Sequence, residues 1–213
     1  MSFFTKFKKV ISSFGMEEII KPVFYNSKIA IRFNIGDNGH DAYIHRKNKK
    51  MSVNLDYITA CLERALKIYN KLKTTPDLLM IEGYLSKGES TEEFVSLAMS
   101  AVDLPRPDEI NSEIIYDDED EFTHLFLFWE LKDFCPEKLL KEIILADLDG
   151  VNSFLVSSVY LVSTKDNVLF YLYDDRGADL VADEKEKISH IYDELNDLIL
   201  DYDRERIDGI FRS

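Results

Sequence analysis

Cysteine is nearly missing from this chain: Cys61 and Cys135 are the two present in 213 residues. A multi-disulfide framework is therefore excluded, and two reduced thiols in a reducing compartment are expected. Glycine (8) and proline (5) are also scarce, and no low-complexity tract occurs, so the composition is not that of a linker or a fibrous protein. No apolar run approaches the roughly 18 residues that a membrane span needs. The opening "MSFFTKFKKVISSFGM" has neither the continuous apolar core nor the small-residue cleavage site of a secretory signal, and a cytoplasmic protein is expected. Apolar residues make up 46% and charged residues 31%, the profile of a soluble globular chain. A chain of this length buries roughly 70% of its unfolded surface and needs no staple. A single domain over 1–213 is expected, with room for a looser N-terminal lobe at 1–104.

Familiar catalytic and phosphate-binding motifs are missing as well. There is no G-x-S-x-G, H-E-x-x-H, Walker A or G-x-G-x-x-G, and the glycines of "IGDNG" are not followed by Lys-Ser/Thr. The histidines are His40, His45, His124 and His190. No two stand four apart on an expected helix and no cysteine stands at ligand spacing, so structural zinc is not expected. The expectation is no metal and no cofactor. Cys61 falls on the apolar side of an expected helix and reads as core. Cys135 precedes Pro136 at a helix start, where a thiolate is favoured, and reads as a capping-region residue without chemistry.

Positive charge is scarce after residue 75. Residues 1–75 carry 14 Lys/Arg against 6 Asp/Glu, residues 76–213 carry 12 against 34, and the whole chain is at −14. Nucleic-acid affinity comes mainly from neutralising phosphates, so nucleic acid is not an expected partner. A basic protein is, because charge complementarity steers its encounter. Plain solubility accounts for the same balance without any partner.

What is present reads as helices separated by strands, then as hairpins. Phe3, Phe4, Phe7, Val10, Ile11 and Phe14 recur at helical spacing beside Lys6, Lys8 and Lys9. That stripe packs on the protein's own body or, as an alternative, lies on a membrane surface. "KIAIRFNIG" alternates as a half-buried strand, and "GDNGHDAYIHRKNKKMS" reads as a polar loop. A helix is expected over 54–72, stopped at Thr75-Pro76. "DLLMIEGYL" reads as a strand, and "ESTEEFVSLAMSAV" as a helix with a Ser90–Glu93 capping box. Two antiparallel strands follow around the acidic turn Asp117, Asp118, Glu119, Asp120 and Glu121, then a helix starting at Pro136. "SFLVSSVYLVST" and "NVLFYLY" form a hairpin. Asp183 and Glu186 box the start of a long helix running past Tyr202. The class expected is α+β: a largely antiparallel sheet with helices packed mainly on one face, and a C-terminal β-hairpin followed by a long helix.

The densest chemistry is "YLYDDRGADLVA", residues 171–182. Asp side chains can bond the backbone two residues on and build a turn, and Gly177 supplies conformational freedom. Arg176 has Asp174, Asp179, Asp203 and Glu205 as candidate partners. The other reading is a hard-cation site, but adjacent strand residues point to opposite faces, so Asp174 and Asp175 converge only if the chain turns there.

Tyr173, Asp174, Asp175, Arg176, Gly177 and Asp179, followed by Asp201, Tyr202, Asp203, Arg204 and Ile207, closely resemble the signature of an uncharacterised bacterial family, the domain of unknown function 3885. The resemblance is strongest over 151–211, within a family-signature region at 113–211. It implies a fold and no mechanism, with the signature residues in a structural role. The function expected is a non-enzymatic acidic cytosolic protein that binds a protein partner, such as an immunity protein for a basic toxin domain. Its candidate contacts are Asp117–Glu121 together with Asp193, Glu194 and Asp197. The alternatives are a metal-dependent enzyme using the Asp174/Asp175/Arg176/Asp179 loop, and a membrane-surface adaptor held by the N-terminal helix.

Overall fold

Apolar runs that are continuous rather than alternating build a sheet covered on both faces. A computed structural model describes residues 1–36, 39–45, 51–117, 120–149 and 157–212. In chain order the elements are α1 (Phe3–Ser13), α2 (Val23–Asn26), β1 (Ala30–Asn34), β2 (Tyr43–His45), β3 (Met51–Val53), α3 (Leu55–Tyr69), β4 (Leu78–Ser86), α4 (Thr91–Val102), β5 (Glu109–Asp117), β6 (Asp120–Glu130), α5 (Glu137–Ala146), β7 (Ser158–Ser163), β8 (Val168–Leu172), β9 (Gly177–Ala182), α6 (Ser189–Glu194) and α7 (Arg204–Phe211). Short 3-10 turns lie at Lys185–Lys187, Asn196–Leu198 and Asp201–Asp203. Seven strands form one sheet in the order β1-β9-β8-β7-β4-β6-β5, and every neighbouring pair is antiparallel. This is an α+β fold, with β2 and β3 as a separate two-stranded ribbon in the stretch expected to be loop.

Three helices begin where a short polar side chain satisfies a free backbone donor. Ser2, Asn54 and Ser90 accept from the amides of Thr5, Asp56 and Glu93 at the starts of α1, α3 and α4. α4 ends at Asp103, which is left-handed at φ 58°. Helices α3, α4 and α5 cover one face of the sheet, where Tyr69 of α3 meets Phe170 of β8. α1 and α2 cover the other. Phe4 packs on Phe126 and Phe128, and Phe7 packs on Phe128 and Tyr160. The apolar stripe of α1 therefore lies on the protein's own sheet. Among the described residues, no helix is long and apolar enough to cross a membrane.

Two C-terminal features differ from expectation. The hairpin gains a third strand, β9, whose six residues are all buried. It shows no alternation because both faces are covered, which removes the usual strand signal. The expected long helix is helical in periodicity but broken in fact. Ile199 forms an antiparallel bridge to Phe33 of β1, and the Leu200 amide donates to the Arg32 carbonyl at 3.0 Å. This pairing pulls the chain extended between α6 and α7. Asp183 does not cap a helix either. It accepts from Asn167 and Lys187 at 2.8 and 2.6 Å.

Gly83 of β4 lies under the Phe94 ring of α4, and a Cβ at this position would fall 2.2 Å from the ring. Overpacking of this kind costs about 1–3 kcal/mol. Gly83→Ala is expected to lower the urea unfolding midpoint, and Gly83→Ala/Phe94→Leu to recover part of the loss. Equal midpoints for wild type and Gly83→Ala would show that the ring moves aside freely.

Candidate functional site

The signature residues converge on the turn between β8 and β9 and on the strand beside it. Asp174 accepts from the Arg176 amide at 2.7 Å and from its guanidinium Nε at 2.8 Å. Asp175 accepts from the Tyr57 hydroxyl of α3 at 2.5 Å, and burial pushes its carboxyl up from the ordinary range. The Arg176 carbonyl accepts from the amides of Ile35 and Gly36 at 2.9 and 3.3 Å. A Cβ on Gly177 would stand 1.9 Å from the Tyr173 hydroxyl and 2.8 Å from the Phe33 carbonyl, so the close approach of β9 to β1 admits no side chain there.

Asp179 lies opposite Arg32 in the β1–β9 ladder and is fully buried. Arg32 grips it twice, Nε to Oδ1 at 2.7 Å and Nη2 to Oδ2 at 2.8 Å. The Phe24 amide of α2 adds a third bond at 3.1 Å. Burial pushes the Asp179 carboxyl up, and the guanidinium and the amide pull against it. The guanidinium itself sits 4.9–5.4 Å from the ring centres of Tyr25, Phe24 and Tyr173. Tyr25 donates to Asp203 at 2.8 Å, which raises the phenol's pKa. Arg206 of α7 donates to the carbonyls of Tyr25 and Ser27 at 3.1 and 3.2 Å.

Asp201 and Tyr202 stay exposed. Arg204 does not reach the β8–β9 turn. It donates to Asp201, to the Asn196 side chain, and to the carbonyls of Asn196 and Ile199, closing the break between α6 and α7. The four residues named in the metal-dependent enzyme alternative, Asp174, Asp175, Arg176 and Asp179, do not form one site. Asp179 belongs to Arg32 and Asp174 to Arg176. Asp147, Asp174 and Asp175 do bring carboxylate oxygens within 4.8 Å of one another. Arg176 stands at 3.4 Å from Asp147 while bonded to Asp174, so a cation is already supplied by the chain.

A second constellation was not read from the sequence. A cavity of about 260 Å³ lies between α1 and the β4–β6–β5 face, lined by Glu82, Tyr84, Glu113, His124 and Phe126 among others. Buried Glu82 takes four donors: His124 Nε2 at 2.8 Å and the Tyr84 hydroxyl at 3.1 Å on one oxygen, Lys21 at 3.0 Å and the Tyr160 hydroxyl at 3.1 Å on the other. His124 Nδ1 faces Glu113 at 3.2 Å, and its ring stacks on Tyr84 at 4.4 Å. Both His124 contacts are hydrogen bonds at once when both ring nitrogens carry protons. A carboxylate with four donors fixes charge and is no free base. The signal was available: Glu82 is the lone charge inside "LLMIEGYL", and such a residue is buried only when paired.

The two acidic sets lie at opposite ends of the strand order. Asp117, Asp120 and Glu121 are exposed on the β5–β6 hairpin; Asp118 and Glu119 fall outside the described residues. Asp193, Glu194 and Asp197 are exposed just before Ile199, which bridges to β1. Glu194 pairs with Lys71 and Asp197 with Lys67, so that set is partly neutralised. Among the described residues, no lysine or arginine bridges Asp117, Asp120 or Glu121.

An antiparallel α+β sheet whose densest motif is a buried ion-pair hub defines the class. The family described as "Domain of unknown function (DUF3885)" matches residues 8–203, and this chain belongs to it. It is similar to the "Uncharacterized protein YnaE" of Bacillus subtilis (strain 168), at 22% identity over 205 residues, covering 87% of this chain and 92% of that protein. No solved structure matches the chain.

Burial raises the Glu82 carboxyl, but Lys21 and His124 outweigh it and hold it below the ordinary range. Its contribution to stability is complete above the unfolded carboxyl's pKa of about 4.3 and fades as pH falls through the lower folded value. Wild type is therefore expected to be more stable than Glu82→Gln at pH 7, with the gap in urea midpoint narrowing below about pH 4. A gap that stays constant with pH would mean that Glu82 contributes shape and not charge.

Proposed function

We propose that this chain is a non-enzymatic cytosolic protein that binds a basic protein partner, in the manner of an immunity protein masking a basic toxin domain. The observation that carries this is the β5–β6 hairpin. It sets exposed, unbridged carboxylates at Asp117, Asp120 and Glu121 beside exposed Ile114 and Tyr116, an acidic rim around apolar anchors. The imbalance of 34 Asp/Glu against 12 Lys/Arg in residues 76–213 adds long-range attraction. The occupied state of Asp174, Asp175, Asp179 and Glu82 supports the non-enzymatic part, since each carboxylate already holds a donor of its own chain. The packing of α1 on the sheet supports setting the membrane-surface alternative aside.

Affinity capture of the tagged chain from its own organism is expected to retain one stoichiometric basic protein, released as salt rises. The variant Asp117→Lys/Asp120→Lys/Glu121→Lys is expected to lose it. A partner indifferent to this reversal, or an acidic one, would contradict the proposal. Absence of any partner, with a melting temperature raised by Mg²⁺ or Mn²⁺ in wild type and not in Asp175→Asn, would favour the metal-dependent enzyme, the reading to which the Asp147, Asp174 and Asp175 cluster lends support.

A further inference from the structure

The geometry points to β5 as a docking edge that takes a basic, amphipathic β-strand of the partner by strand addition. This rests on the proposed binding of a basic protein and names how the contact is made.

The two edges of the sheet are treated differently. The outer side of β1 is covered where Ile199 bridges to Phe33 and Leu200 bonds the Arg32 carbonyl. β5 ends the strand order at the other side, and no described strand pairs with its outer edge. In an antiparallel ladder every second residue turns its N–H and C=O away from the partner strand, so the nine residues of β5 present a row of backbone groups to solvent. Natural edges are blunted by charged side chains, lysine above all, by proline, by a short strand or by a covering element; the charges of β5 are carboxylates alone, which repel another acidic strand and attract a basic one. "EINSEIIYD" has no proline and no lysine, and it is long.

Its side chains sort by face. The register against β6 puts Glu109, Asn111, Glu113, Ile115 and Asp117 on the face that carries α1, and Ile110, Ser112, Ile114 and Tyr116 on the other. Glu109 already accepts from the Phe3 and Phe4 amides and Glu113 faces His124, so the outermost acid of the row is Asp117. Ile114 is 53% and Tyr116 71% exposed, although each sits in a regular strand. A second copy of this chain fits poorly. Antiparallel pairing about Glu113 sets Glu109 against Asp117 and Glu113 against itself, and in-register parallel pairing sets each acid on its own copy. Like charges directly opposite are destabilising. A strand with Lys or Arg on one face and aliphatic side chains on the other meets both rows, and backbone bonds supply the affinity.

The test uses the full chain and a labelled nine-residue peptide of alternating lysine and valine, matched to the length of β5, followed by fluorescence anisotropy. A second peptide carries the same side chains with N-methyl groups at the interior residues, which keeps the charge and removes the strand donors. The plain peptide is expected to bind at one-to-one, with the N-methylated form at least about tenfold weaker, as loss of several backbone bonds requires. Glu113→Lys/Asp117→Lys, both at exposed positions, is expected to lose plain-peptide binding while circular dichroism stays unchanged. Equal binding of the two peptides would overturn strand addition and leave the acidic-surface proposal standing. No binding of either would also overturn it, and the capture experiment then judges the wider proposal alone. A dimer of this chain that Ile114→Lys dissolves would assign the edge to a second copy and overturn the inference.

Discussion

The bidentate pair between Arg32 and Asp179 is the contact on which the rest of the signature depends. The two residues face each other directly across β1 and β9. A slip of one residue would turn one of the two charges through the sheet toward the apolar face beneath α3 and α5 and leave the other buried without its partner, so the pair fixes the register of two strands that meet 147 residues apart in the sequence. Burying two charges is costly, and the cost is offset only where geometry is good and remaining lone pairs are satisfied. Here two parallel bonds, the Phe24 amide and three aromatic rings meet that condition. The neighbouring signature residues extend the same clamp. Gly177 lets β9 approach β1, Asp174 and Arg176 close the turn, Tyr57 ties it to α3, and Asp203 ties Tyr25 to the C-terminal segment.

This arrangement separates the carboxylates that hold the fold together from those at its surface. Asp174, Asp175 and Asp179 of the signature are turned inward and each accepts from a donor of its own chain, whereas Asp201 stays exposed. At the tip of the β5–β6 hairpin, Asp117, Asp120 and Glu121 are turned outward, and among the described residues no lysine or arginine bridges them. The C-terminal segment that the hub holds down also covers the β1 edge, while β5 ends the strand order with no further strand paired to it among the described residues. The fold thus concentrates negative charge and free backbone at one margin, far from the residues that hold it together.

Much of the fold was legible in the sequence. Hairpin turns at Asp117–Glu121 and at Lys165-Asp166, and helical stripes with Ser90 and Asn54 at their starts, required only local signals. The misses have non-local causes. Arg32 falls on the polar side of "KIAIRFNIG", which reads as half-buried, yet that side is covered because its partner Asp179 lies far along the chain. β9 has no period to detect. The break at Ile199 comes from a bridge to β1 that overrides a sound helical stripe. Of the site, the turn-building role of Asp174 was legible from spacing. The convergence of Glu82, His124, Lys21 and Tyr160 required strands from three parts of the chain to be paired first.

The most direct measurement is a double-mutant cycle on the hub, with unfolding free energies of wild type, Arg32→Met, Asp179→Leu and the double variant. Each single change strands a buried charge and is predicted to cost about 3–5 kcal/mol, with the double variant losing much less than the sum. Single losses below about 1 kcal/mol that simply add would be the behaviour of an exposed pair, and would contradict the placing of this ion pair at the centre of the structure.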